Sequence, residues 1–225
     1  MKQTARITAR KIAPFSIAIL AMALTSCEPG PAPTAPDPLP QDIFFERLSL
    51  LCGKAYSGQL VSDQKADAEM TGKQMIMHVA HCDQNQIQIP FHIGPSQTDG
   101  ADSTWDRSRT WTISRTDDGL RLKHRHRHED GTLDAVTNYG GDTTTEGTDE
   151  RQEFPVDAES IALFKTADLD QSVTNIWAVE ISPPGTTDTR FAYELRRPET
   201  AGGRFFRVEF DLSKTVAAPP PPWGE

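Results

Sequence analysis

Alternation of apolar and polar residues dominates the middle of this chain and predicts β-strands. Residues 86–93 give the clearest case, with four apolar side chains on one face: Ile87, Ile89, Phe91 and Ile93. Alternation with a period of two is typical of a strand with one buried face. Further strand patterns cover residues 74–80, 109–115, 119–128, 173–181, 191–195 and 206–212.

Turn and helix signals separate these segments. Asp118-Gly119 and Asp130-Gly131 are typical of tight hairpin turns. Residues 42–53 have the spacing of a short amphipathic helix that ends at Gly53, and Asp157 is placed to cap a second short helix.

About eight short antiparallel strands must bury one face and protect their edges. We therefore expect a mainly β domain with one or two short helices. Two arrangements stay open: an up-and-down barrel, and a two-sheet sandwich. A small barrel with a short helix near its start resembles the lipocalin-like (calycin-like) architecture.

Both ends of the chain differ from this β-rich middle. Residues 1–26 combine four basic residues, no acidic residue and an apolar run over residues 12–24, which is the organisation of a signal peptide. The run ends in Ser26-Cys27 and resembles a lipobox, so we predict cleavage before Cys27 and its acylation. An ordinary signal peptide with an incidental cysteine is the alternative. Prolines predict a tether over residues 27–41 and a tail over residues 216–225, around one β domain at residues 42–215.

The charge of the chain limits its partners, and its cysteine content indicates an oxidising compartment. The net charge is −9, and removal of the predicted signal peptide leaves 19 basic and 32 acidic residues, a net charge of −13. Such acidity argues against nucleic acid and against electrostatic adhesion to anionic lipid. With Cys27 acylated, Cys52 and Cys82 remain as a pair, for which we predict a disulfide in an oxidising compartment. Two buried free thiols are the alternative.

Several runs of the chain resemble a family of uncharacterised secreted proteins and lipoproteins of proteobacteria. These runs are FERL at 45–48, LCGKA at 51–55, RSRTW at 107–111, GLRLKH at 119–124, HRHEDG at 126–131, YGG at 139–141, RQEFP at 151–155 and FRVEFDL at 206–212. The resemblance implies a lipid-anchored protein of a Gram-negative envelope, with its domain in the periplasm or at the cell surface. By resemblance to lipoprotein sorting, the lack of Asp after Cys27 favours the outer membrane, and the inner membrane is the alternative.

Three histidines follow two leucines on one face of the predicted strand at residues 119–128: His124, His126 and His128. Residues two apart on a strand lie about 6.6 Å apart at Cα, so neighbouring imidazoles can share a zinc, copper or nickel ion. The sequence offers no fourth ligand and requires no cofactor. A metal site and solvated or hydrogen-bonded histidines are therefore both open.

Aromatic residues at alternating positions are candidates for the lining of an apolar pocket: Trp111, Tyr139, Trp177 and Tyr193. Such residues more often fill a core. The interior of an eight-stranded barrel is just wide enough to be filled or to hold one small ligand. Both readings stay open.

Motifs of catalysis are absent from the sequence, including the nucleophile elbow, the phosphate-binding loop, the zinc-protease helix and the dinucleotide fingerprint. No catalytic residue is predicted. The leading hypothesis is a non-enzymatic envelope lipoprotein that binds a small apolar or amphipathic molecule inside a barrel. The alternatives are a structural or interaction module with a filled core, and a histidine-based metal-binding protein or metalloenzyme.

Acylation of Cys27 can be tested directly, because two or more acyl chains give stable membrane anchoring and the prediction places them all on this one residue. Cys27→Ser is expected to abolish incorporation of alkyne-labelled palmitate in a Gram-negative host and to release the protein from the membrane fraction. Cys52→Ser is the control and should keep the label. Label on the Cys27→Ser protein at the wild-type level would contradict the prediction.

Overall fold

A single antiparallel sheet is the main element of the computed structural model, which describes residues 37–96 and 104–225. The predicted signal peptide, Cys27 and most of the predicted tether lie outside the described residues. The strands are β1 (Ala55–Leu60), β2 (Lys73–His78), β3 (His81–Cys82), β4 (Gln86–Ser96), β5 (Asp106–Thr116), β6 (Gly119–His126), β7 (Tyr139–Asp142), β8 (Arg151–Pro155), β9 (Ile176–Ile181), β10 (Arg190–Arg197) and β11 (Arg204–Val216). The helices are α1 (Pro40–Ser49) and α2 (Ala158–Thr166), with 3₁₀ turns at Lys65–Met70, Asp170–Thr174 and Glu199–Ala201. Over these two ranges, none of the helices has the length and apolar character needed to span a bilayer.

The strand order makes this sheet an up-and-down barrel that is nearly closed. Along the sheet the order is β7-β6-β5-β4-β2-β1-β11-β10-β9-β8, all antiparallel, with β3 paired to β4 beside this path. The first and last strands of the chain, β1 and β11, are neighbours. The end strands β7 and β8 face each other across a seam, where a single bridge joins Gly141 to Val156 in the described part of the chain.

The architecture confirms the predicted mainly β fold and decides between its two arrangements. One nearly closed sheet is present in place of a two-sheet sandwich, and it is compatible with a lipocalin-like architecture. The first helix ends at Ser49, four residues before the predicted end, and Gly53 lies in the following turn with a φ of 78°. The Asp157 side chain accepts a hydrogen bond from the backbone N–H of Ser160, as expected of a helix cap.

Helix α1 closes one end of the barrel, which we call the helix end. Its apolar side chains Phe44, Phe45 and Leu48 are buried in the core. Its polar side chains bind the rim, since Gln41 Nε2 donates to Thr143 Oγ1 at 2.9 Å and Arg47 Nη1 donates to the carbonyl of Asp149 at 2.7 Å. We call the other end, where β6 finishes and β11 begins, the open end.

Aromatic rings from opposite walls fill the middle of the barrel. The Trp111 ring of β5 lies between Phe91 of β4 and Tyr193 of β10, with centroid distances of 4.7 and 4.4 Å and nearly parallel planes. Phe210 of β11 meets the edges of this stack from the side. Stacked aromatic pairs stabilise a core beyond the area that they bury. The interior is therefore filled at mid-height.

Cys52 and Cys82 form the predicted disulfide, with their Cα atoms 6.1 Å apart. The bond ties the turn after α1 to β3 and closes a loop with a sequence separation of 30 residues. A loop of that length corresponds to a stabilisation of about 3 to 4 kcal/mol. The alternative of two free thiols does not hold.

Residues of the predicted proline-rich tail pack on the outside of the barrel. The backbone N–H of Trp223 donates to the carbonyl of Arg107 at 3.2 Å, and Glu225 pairs with Arg125 on β6. Pro222 is buried. The tail therefore reaches the outer face of β5 and β6.

Charged side chains cover the outer face of β8 to β11 in a continuous network. Arg151 pairs with Glu194 at 2.9 Å and also with Glu180, and Arg207 pairs with the same two glutamates at 3.0 and 2.6 Å. Arg196 extends the network at its edge. Charge-assisted hydrogen bonds of this kind join Glu180 and Glu194 to the two arginines and tie the four strands together on their outer face.

Gly141 is the residue that lets the two seam strands approach each other. A Cβ atom at this position would lie 1.9 Å from the carbonyl oxygen of Pro155. Gly141→Ala is therefore expected to lower the free energy of unfolding by about 2 kcal/mol or more, because the clash is with backbone. Urea denaturation measures the loss.

The matched control is Gly185→Ala, in a loop where no atom lies within 4 Å of the new methyl group. Its φ of 82° costs an alanine about 1 kcal/mol. Equal losses in the two variants would show that the seam does not depend on the close approach at Gly141.

Candidate functional site

A cavity of about 150 Å³ enters the barrel from the open end. Six residues give it an apolar wall: Phe91, Trp111, Tyr139, Tyr193, Leu195 and Phe206. Met70, from the 3₁₀ turn before β2, borders it as well. A larger groove lies on the outer surface between Gln59 and Arg190, but polar and charged groups dominate its walls. The cavity at the open end is the candidate site because it reaches the aromatic stack.

Three of the four predicted pocket residues line this cavity: Trp111, Tyr139 and Tyr193. The fourth, Trp177, lies behind the wall, with its ring 5.9 Å from that of Tyr139. Strand alternation explains the grouping, because these side chains project inward from β5, β7, β9 and β10. Trp177 supports the site without bordering it.

The predicted histidine row divides at the end of β6. His124 is buried and His126 is half-buried, and both line the cavity. His128 lies beyond the last residue of the strand and is exposed. Two of the three histidines therefore belong to the site.

Hydrogen bonds hold the two inner imidazoles in place. His124 Nδ1 lies 3.1 Å from the carbonyl oxygen of Tyr139, and its Nε2 lies 2.7 Å from the Tyr193 hydroxyl. Because a carbonyl only accepts, Nδ1 carries the proton and Nε2 accepts from Tyr193. His126 Nε2 lies 3.0 Å from the Tyr139 hydroxyl. Both nitrogens of His124 are thus engaged within the protein.

Burial sets the protonation state of this group. It lowers the pKa of His124 to about 3, with the neighbouring His126 adding to the effect. Burial, and then the charge of Arg109, lowers the pKa of His126 to about 4. Burial also raises the pKa of the Tyr139 hydroxyl to about 12. At neutral pH the site holds neutral imidazoles and protonated phenols.

Neutral imidazoles are the form that binds transition metals. In the part of the chain that the structure describes, no three His, Cys, Asp or Glu side chains are grouped to hold a metal ion. A metal at His124 would also have to replace its bond to Tyr193 or to the Tyr139 carbonyl. The metal site at His124, His126 and His128 stays a prediction that this geometry does not support.

Two arginines at the mouth are site residues that the sequence interpretation missed. Arg109 of β5 pairs with Asp106 and donates to Ser108 Oγ at 3.0 Å. Arg204, at the start of β11, pairs with the buried carboxylate of Asp67 in the 3₁₀ turn that carries Met70. Alternation alone could have revealed Arg109, because it shares a strand face with Trp111. Alternation could also have revealed Arg204, because it shares a face of β11 with Phe206.

Comparison with known proteins leaves the family of this chain open. The chain matches no protein-family model, no curated protein and no solved structure. The resemblance to secreted proteins and lipoproteins of proteobacteria therefore stays a prediction. The function has to be inferred from the geometry of the site.

Histidines buried in the neutral state predict that acid destabilises the fold. His124, His126 and His92, which is fully buried on the outer face of β4, all have a pKa lowered to about 3 or 4 from the ordinary 6.5. Between about pH 4 and 6.5 the unfolded chain binds more protons, so stability falls as the pH drops through this window and is regained at pH 7. Each such histidine contributes about 1 to 2 kcal/mol between pH 7 and pH 5.

His126→Gln is expected to reduce the loss of unfolding free energy between pH 7 and pH 5 by about 1 to 2 kcal/mol, the contribution of one histidine. Urea denaturation at pH 7 and at pH 5 measures it. The control is His128→Gln, since His128 is exposed and outside the site. If both variants keep the wild-type pH dependence, His126 is not a buried neutral histidine.

Proposed function

We propose that this protein binds one small apolar or amphipathic molecule in the cavity at the open end and that it is not an enzyme. The observation that carries the proposal is a space of about 150 Å³ with apolar walls that leads into the barrel. A cavity of this volume can hold benzene. Sites for drug-sized ligands occupy about 300 to 1,000 Å³. The enclosed part of the ligand is therefore a single ring or the end of a short chain.

The wall chemistry supports a ligand with one polar end. Trp111 and Tyr193 offer apolar ring surface deep in the cavity. The Tyr139 hydroxyl and the His126 imidazole lie nearer the open end and can exchange hydrogen bonds with a polar group. A few polar groups in an apolar pocket are the usual means of fixing a ligand's orientation.

Attachment to the cell envelope is the second part of the proposal. The basic and apolar run that leads to Cys27 supports export and acylation. The disulfide between Cys52 and Cys82 fits an oxidising compartment outside the cytoplasm. An acylated Cys27 would hold the barrel at a membrane surface, with the outer membrane favoured.

The filled middle of the barrel favours one other function, that of a structural or interaction module. Phe91, Trp111 and Tyr193 leave the ligand no route through the centre. Such a module would act through its outer surface and would bind no small molecule. The experiment below separates the two functions.

Benzyl alcohol is a probe of the right size for this cavity. We expect it to bind the full chain, held in lipid nanodiscs, with a dissociation constant in the millimolar range, as ligand efficiency allows for about eight heavy atoms. Leu195→Trp places a large ring in the cavity wall and should abolish binding. Ligand-observed fluorine NMR of the fluorinated probe measures it, and empty nanodiscs give the partition baseline.

Leu212→Trp is the matched control. Leu212 is also partly buried on an inward-facing row, but it does not line the cavity. It should leave binding within about two-fold of the wild type. No binding to the wild type, or equal binding to Leu195→Trp, would favour the interaction module.

A further inference from the structure

The charged side chains that line the cavity are arginines. Arg109 and Arg204 line the cavity, and no acidic side chain does so among the described residues. Their partners Asp106 and Asp67 do not line the cavity, although Asp106 borders an adjoining groove together with Arg109. A molecule in the cavity therefore meets the cations before it meets their counterions.

Arg109 has N–H donors that are available to such a molecule. A guanidinium has five N–H donors. The bonds of Arg109 to Asp106 and to Ser108 both use Nη1, so Nη2 and Nε have no hydrogen-bond partner in the described part of the chain. Arg204 is more fully used, because both of its terminal nitrogens bind Asp67. Arg109 is thus the better candidate for a direct contact with a ligand.

The charges of these arginines affect the pKa values of the residues that line the cavity. Burial raises the pKa of the Tyr139 and Tyr193 hydroxyls, and the charge of Arg109 opposes that rise at both. Arg204 acts in the same direction on Tyr193. The charge of Asp134 acts against that of Arg109 at Tyr139 and at His126, but in both cases the effect of Arg109 is the larger.

We infer that the ligand is a small carboxylate, whose ring or short chain fills the cavity and whose carboxylate binds Arg109 at the mouth. This inference rests on the proposed function, and it names the class of molecule that the same site takes. Guanidinium and carboxylate match in geometry and form charge-assisted hydrogen bonds. The mouth is also where a carboxylate can keep part of its hydration, because 27% of the Arg109 side chain remains exposed. A neutral amphiphile would leave the free donors of Arg109 to water, and an ammonium would be repelled.

Three fluorinated probes of one size test the class: fluorobenzoate, fluorobenzyl alcohol and fluorobenzylamine. With the full chain in nanodiscs at pH 7, we expect fluorobenzoate to bind about 10-fold more tightly than the alcohol, and the amine to bind least. Arg109→Gln should weaken fluorobenzoate about 10-fold, the effect of one charged hydrogen bond, and should leave the alcohol within about two-fold. Arg109→Lys should restore part of the preference, and Arg196→Gln, on the outer face, is the control.

Each outcome bears on one of the two claims. Binding of the alcohol to Arg109→Gln shows that the variant keeps its fold and its cavity. Equal or weaker binding of fluorobenzoate than of the alcohol, or a preference unchanged in Arg109→Gln, would overturn the carboxylate inference and leave the proposed function in place. Failure of all three probes to bind the wild-type chain would overturn both.

Discussion

The stacking of aromatic rings across the barrel is the contact on which the rest of the structure depends. Trp111 joins a wall made by β4 and β5 to the opposite wall at Tyr193, with ring centroids 4.4 Å apart. A barrel joined at mid-height has no continuous channel, so its two ends become separate spaces. One end is sealed and the other holds the site.

Different local chemistry makes the two ends unequal. At the helix end, α1 places three apolar side chains in the core, and the disulfide fixes the turn that follows it. At the open end a short 3₁₀ turn approaches on one side, held by the pairing of Asp67 with Arg204, and α2 packs Phe164 against Tyr139 on the other. The cavity opens between these elements and leads to the aromatic stack. The site is a consequence of incomplete coverage of this end.

Most of the fold could be predicted from local pattern, because buried strand faces leave an alternation that survives in the sequence. Residues 86–93 and 119–128 are the clearest examples, and both are strands close to their predicted limits. Strands β7 and β8 were not predicted, and each has a physical reason. Glycine is a poor strand former, yet Gly140 and Gly141 occupy β7 because neighbouring backbones come too close for any Cβ. In β8 the outward charges of Arg151 and Glu153 obscure an inward row of only two residues.

The site was predictable to the extent that its members lie on alternating strands. Trp111, Tyr139, Tyr193 and His124 follow that rule. Arg204 follows it as well, on the same face of β11 as Phe206, whereas Met70 does not, because it comes from a 3₁₀ turn that is held by the ion pair of Asp67 with Arg204. Local pattern also could not tell that β6 ends at His126, which removes His128 from the row.

The seam between β7 and β8 makes one wall of the candidate site dependent on helix α2. Strand β7 has a full ladder on one side only, and it carries Tyr139. Elements with few cross-strand bonds open at the lowest free-energy cost. On its other side β7 is held by α2 and the cap of that helix, since the Gly140 N–H donates to Ser160 Oγ at 2.7 Å and the Gly140 carbonyl accepts from the Asp157 N–H at 3.0 Å. Any widening of the barrel beside Tyr139 therefore requires α2 to shift together with β7.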